Sequence, residues 1–262
     1  TMRFLPGLIL LLPLVSTGAQ AELMDDINDR GELRIALEAN TPPFNFKDDG
    51  KLTGFEVELG QLLASELDVR ADFVVTAAAE LLPGVESGKF DVAINHIALT
   101  PELKDRFDFS EPYSYSSAQL IVRKEEQRPL LSLQALRGQA LGVAQGSQFV
   151  DQARTVEGIN LRSYADAQQP IKDVADKQID AAISDRLLIP YAIRDSRLPV
   201  KEGAKVGPTL SLAIPFQKGN PAFQASLDSA LQRIKADGRL MALSEKWFGM
   251  DASKPPKAEA GQ

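Results

Sequence analysis

Apolar positions along this chain repeat with two periods, and the period changes where proline, glycine or aspartate gathers. "GELRIALE" (31–38) reads as a short apolar strand, while "NTPPFNF" (40–46) and "DDG" (48–50) read as turns, with proline removing backbone donors. In "GFEVELGQLLASEL" (54–67), Phe55, Leu59, Leu62, Leu63 and Leu67 fall at helical spacing and predict one buried face. "ADFVV" (71–75) returns to a strand, which completes a strand, helix, strand unit. "AAELLPGVESG" (78–88) then predicts a short helix, "KFDVAIN" (89–95) a buried strand, and "SSAQLIVRK" (116–124) a longer one.

A second run of the same kind occupies residues 130–195. It has strand "QALGVAQ" (139–145), helix "SQFVDQAR" (147–154), strand "NLRSY" (160–164), helix "DAQQPIKDVADKQ" (166–178), strand "IDAAIS" (179–184) and helix "RLLIPYAIR" (186–194). "GKFDVAIN" (88–95) and "DKQIDAAIS" (176–184) echo one another as a loop, an aspartate and a strand, which predicts two α/β lobes of like design. "TLSLAIPFQKGN" (209–220) reads as a strand running back, and residues 221–249 as two closing helices separated at Gly238. The second lobe is therefore expected to be inserted in the first. "SKPPKAEAGQ" (253–262) is a polar stretch with no reason to fold.

Residues 1–21 differ from the rest: Arg3, the interrupted apolar run "FLPGLILLLPLV" and the small residues "AQA" describe a secretory signal peptide. The apolar run is shorter than the roughly 20 residues of a spanning helix, and no lipobox cysteine follows. Arg3 is the only charge in that segment, so its removal takes the net charge from -7 to -8. An acidic chain without basic runs is a poor partner for nucleic acid or an anionic membrane surface. The absence of cysteine excludes disulfides and thiolate metal sites. The residues show no catalytic nucleophile, phosphate loop, cofactor motif or metal cluster.

Seven phrases in register resemble the type II periplasmic solute-binding proteins, family 3, that serve polar amino-acid ABC transporters. They are "PPFNF" (42–46), "GFEVELGQLLASEL" (54–67), "LLPGVESGKFDVAI" (81–94), "LTPE…FDFSEPY" (99–113), "LRGQALGVAQGS" (136–147), "IDAAISD" (179–185) and "KWFG" (246–249). The resemblance implies an α/β, two-lobed type II fold, each lobe a mixed sheet flanked by helices, joined by two hinge strands. The expected division is a signal peptide at 1–21, lobe 1 at 22–117 and 212–250, an inserted lobe 2 at 118–211, and a disordered tail at 251–262. It also implies closure around a small molecule, since a ligand that touches both lobes adds affinity only to the closed state.

The resemblance can be carried into the cleft residue by residue. In members that bind α-amino acids, an arginine in the "TPER" phrase pairs with the ligand carboxylate, and here that place is Leu103. A desolvated carboxylate without a charged partner costs several kcal/mol, so the usual grip is not expected. Arg106 either substitutes from the neighbouring turn or is solvated surface. The stacking aromatics and a hydroxyl are replaced by Thr41, Ala78 and Ala98. Asp185 matches the carboxylate that receives a ligand ammonium, and Glu38 lies near an acidic residue that reads ligand side chains; either can instead cap a helix or face solvent. Gly146, Ser147 and Gln148 precede a helix, where free backbone donors suit an anion, although an ordinary serine N-cap fits equally. His96, the only histidine in the chain, stands where the family has glycine or serine lining the cleft, with Asn95 beside it and Thr100 further on. A lone histidine can be structural, or it can donate, accept or titrate near neutral pH.

The expected function is a monomeric periplasmic binding protein without enzymatic activity or cofactor, which closes around a small polar solute and delivers it to an ABC permease. Glu38 and Asp185 lean the solute towards an amino-acid-like or amine-bearing molecule. The alternatives are a ligand-sensing module for a membrane receptor and a dehydratase-like or lyase-like enzyme using His96 with Glu38 or Asp185.

Overall fold

A computed structural model describes residues 22–257, so the expected signal peptide and residues 258–262 of the polar stretch lie outside the described residues. The first lobe opens with α1 (Leu23–Arg30), β1 (Glu32–Leu37) and a three-stranded antiparallel ribbon, β2 (Asn40–Thr41), β3 (Asn45–Asp48) and β4 (Lys51–Thr53). The ribbon is a correction: the "NTPPFNF" and "DDG" turns are real, but the residues between them pair, Phe46 with Thr53 and Asp48 with Lys51. α2 (Phe55–Glu66), β5 (Arg70–Val75), α3 (Ala78–Glu86), β6 (Val92–Ala93), α4 (Pro101–Arg106) and β7 (Phe107–Phe109) follow. β5, β1 and β6 form a parallel sheet in that order.

Two long strands, β8 (Ser114–Arg123) and, much later, β12 (Val200–Leu212), carry the chain into and out of the second lobe. Between them lie β9 (Ala140–Ala144), α5 (Phe149–Arg154), β10 (Asn160–Tyr164), α6 (Gln168–Ala175), β11 (Ala181–Asp185) and α7 (Ile189–Ser196). The five strands run in the order β10, β9, β11, β8, β12, with β8 antiparallel to both of its neighbours. β12 starts nine residues before the expected strand at Thr209. Its first half, "VKEGAKVGP", lacks strand propensity but pairs with β8 as an edge strand, its register broken between Glu202 and Lys205 and again before Thr209. Such bulges accommodate glycine and proline where a central strand would not.

The chain returns through β13 (Pro215–Gln217), antiparallel to β7, and closes the first lobe with α8 (Pro221–Ala236) and α9 (Arg239–Phe248). α8 buries Phe223, Leu227, Ala230, Leu231 and Ile234 in one core with Phe55, Leu59 and Leu63 of α2. Ala252, expected in the tail, is buried instead; its N–H donates to Ser244 Oγ at 2.8 Å and its carbonyl accepts from Tyr115 N at 2.8 Å.

The echo between the two aspartate loops is a structural device. Asp91 Oδ2 accepts from Arg34 N of β1 at 2.7 Å while its own N–H donates to Arg34 O, and Asp180 Oδ2 accepts from Ala140 N of β9 at 2.7 Å while its N–H donates to Ala140 O. In each lobe an aspartate thus closes the end of a parallel strand pair, and arginines balance its charge: Arg30 and Arg34 for Asp91, Arg128 for Asp180. "KFDVAIN" contributes only two strand residues, Val92 and Ala93, flanked by Asp91 and Asn95, whose side chains accept from Arg34 N and Glu38 N.

Candidate functional site

The site grows from a charge where helical spacing calls for an apolar residue. Glu56 shares the buried face of α2 with Leu59 and Leu63 and is fully buried. Its Oε1 accepts from Asn45 Nδ2 at 2.9 Å; its Oε2 accepts from the backbone N–H of His96 at 2.8 Å and from the Tyr113 hydroxyl. Burial raises the Glu56 carboxyl above its ordinary range, and Tyr113 and His96 only partly offset this. Burial and the Glu56 charge together push the Tyr113 hydroxyl well up.

His96 stands in the left-handed region at φ 54°, a conformation that glycine adopts freely and other residues rarely. Its ring rests on Phe44 with centroids 4.5 Å apart, and its Nε2 lies 2.9 Å from Asp185 Oδ2 at the end of β11. This contact joins the lobes. Asp185 is wholly buried, and its other oxygen accepts from Ser116 Oγ at 2.6 Å and Leu187 N at 2.8 Å. Burial depresses the imidazole, but the charge and hydrogen bond of Asp185, with the Glu56 charge, outweigh it and raise the His96 pKa above 6.5. Burial acts on Asp185 in the opposite sense, yet His96 and Ser116 lower its carboxyl below the usual value. Both shifts favour the charged form of each partner.

Asn95 extends the network. Its Oδ1 accepts from Glu38 N at 2.9 Å and Asn45 Nδ2 at 3.2 Å, and its Nδ2 donates to Glu38 Oε2 at 2.8 Å. Of the eight residues expected at the site, the structure brings Glu38, Asn95, His96 and Asp185 into one chain of hydrogen bonds. The other four are engaged elsewhere or apart from it. Thr100 Oγ1 accepts from Leu103 N at 3.3 Å as the cap of α4, Ser147 Oγ accepts from Phe149 N at 3.1 Å, and Gly146 and Gln148 flank that serine in the turn before α5. Sequence reasoning missed Glu56, Asn45, Tyr113 and Ser116; only Glu56 carried a signal, its charge in step with Leu59 and Leu63.

Leu103 is half-buried and packs on an apolar cluster with Leu81, Phe90 and Phe107. Arg106 does not replace the missing cation: it pairs with Glu86 at 2.7 Å and lies over the Phe107 ring, 5.1 Å from the centroid. Beside the network a cavity of about 450 Å³ is lined by Asn40, Thr41 and Pro42 of the first lobe and by Ile183, Leu188 and Tyr191, among others, of the second. Phe46 and Tyr191 also meet across the lobes with ring centroids 5.9 Å apart.

Two lobes on a pair of antiparallel connecting strands, with a buried ion pair and a cavity between them, define a solute-binding protein of the two-lobed type. The model of the bacterial extracellular solute-binding proteins, family 3, matches residues 33–250, and the chain belongs to that family. The L-cystine-binding protein TcyJ of Escherichia coli K12 is 34% identical over 242 residues, covering 92% of this chain and 91% of that protein. The L-cystine solute receptor of Neisseria gonorrhoeae, solved unliganded and open, superposes with a TM-score of 0.75 at 29% identity, covering 90% of this chain and 100% of that one. An ancestral cationic amino-acid solute-binding protein gives a TM-score of 0.77 at 30% identity, covering 86% of this chain and 99% of that one.

Proposed function

We propose that this chain captures a small amino-acid-like solute between its lobes in the periplasm, as a monomer, and presents the closed form to an ABC permease. The observation that carries the reading is the cavity lined from both lobes, because a molecule seated there adds contacts only when the lobes are together. The relatives named as cystine-binding and cationic amino-acid-binding proteins support an amino-acid-like solute. Lobe limits of 22–117 with 212–250, and 118–211, belong to the same reading.

The grip differs from an arginine and carboxylate clamp. Leu103 offers no charge, and Asp185 already holds His96. Recognition therefore falls on uncharged groups such as Asn40, Thr41 and Ser184, with Glu38 at the end of the network available to an amine. The test is a thermal-shift screen of the mature chain, unfolded and refolded to strip bound solute, against L-cystine, arginine, other amino acids and polyamines. A true solute raises the midpoint, with about 2.7 kcal/mol of added stability at a hundredfold excess over Kd. Absence of any shift across the panel would overturn the amino-acid-like reading.

A further inference from the structure

A second cavity, of about 380 Å³, lies where β8, β12 and the C-terminal segment meet. Three cations line it, Arg186, Lys205 and Lys257, together with Ser116, Ser117 and Thr209, and among the described residues no acidic side chain does. In a chain of net charge -7 that grouping runs against composition. Among the described residues none of the three cations makes an ion pair. Asp185, next to Arg186 in the chain, is buried and has its charge met by His96.

Arg186 supplies the second observation. Its Nη2 donates to Tyr115 O at 3.0 Å, which fixes the guanidinium against β8 at the cavity that it lines. Lys205 sits between the two register breaks of β12, at the point where a bulged strand re-aims its side chains. A guanidinium, two point charges and several hydroxyls around one cavity match the chemistry of a tetrahedral oxyanion.

We propose that this cavity is an anion site that takes a small oxyanion of the phosphate or sulfate type. It shares no lining residue with the solute seat between Thr41 and Tyr191, and it bears on β8 and β12, the strands that join the lobes. The test is calorimetric titration of the full chain with inorganic phosphate, and separately with sulfate, at ionic strength fixed with chloride. Saturable binding is expected, with affinity falling at least about tenfold in Arg186→Gln and by a smaller factor in Lys205→Gln. Lys172→Gln, which removes a cation that does not line the cavity, should bind as the parent does. Should Arg186→Gln fail to fold by circular dichroism, Lys205→Gln and Lys257→Gln carry the test, since both alter flexible side chains at the cavity. No heat above that of chloride, unchanged affinity in the cavity variants, or an equal loss in Lys172→Gln would overturn the proposal. Solute shifts in the thermal screen are unaffected by these changes, so the two readings fail separately.

Discussion

A non-glycine residue in the left-handed region persists only where its surroundings offset the strain. His96 has three such holds: its N–H on Glu56, its ring on Phe44 and its Nε2 on Asp185. Because its folded pKa is raised, the pair contributes stability that is complete below pH about 6.5 and is lost as pH rises through the folded value. Denaturation midpoints followed from about pH 6 to 9 should therefore fall on the alkaline side. With no second histidine in the chain, His96→Gln should flatten that slope, and a slope unchanged in the variant would refute the assignment. At Glu56, replacement by alanine strands Asn45, Tyr113 and the His96 amide, at a cost of about 3 kcal/mol or more in urea unfolding. Leu103→Arg tests the altered grip. Several positions are remodelled together, so that change alone should add no shift with common amino acids that the parent does not bind in the thermal screen, whereas gained binding would make Leu103 the single block.

The twin aspartate loops show how an element is fixed by one side chain. Asp91 is wholly buried with two arginines on it, whereas Asp180 and Arg128 keep 25% and 40% of their side chains exposed. Removing one partner of a buried pair leaves an uncompensated charge, so Asp91→Ala should cost about 3–5 kcal/mol and Asp180→Ala clearly less. Chemical denaturation of both variants measures the contrast, and equal losses would mean that the backbone bonds to Arg34 and Ala140, not the ion pairs, dominate. The motif itself was legible as a short repeat, "KFDVAI" against "QIDAAI". Its partners were not, because the amides of Arg34 and Ala140 lie 57 and 40 residues away in the chain.

For the whole molecule, the contact between His96 and Asp185 links the lobes, so its removal should shift the population towards open forms. Small-angle scattering of the solute-free chain should give a larger radius of gyration for His96→Gln than for the parent; an identical value would mean that the pair does not restrain closure. The sequence by itself determined the α/β alternation, the inserted second lobe and the family phrases, because apolar periodicity and turn residues act over a few residues. It also marked Asp185 as a candidate within those phrases, and Glu38, Asn95 and His96 through their positions beside them. Tertiary structure alone decided that His96 closes on Asp185, that Glu56 and Tyr113 hold the loop from below, and that Arg106 turns away to Glu86. It also turned the polar run before Thr209 into an edge strand, since pairing with β8 overrides local propensity. In each case the deciding partner is distant in the chain, and only the packed lobes bring it within hydrogen-bond reach.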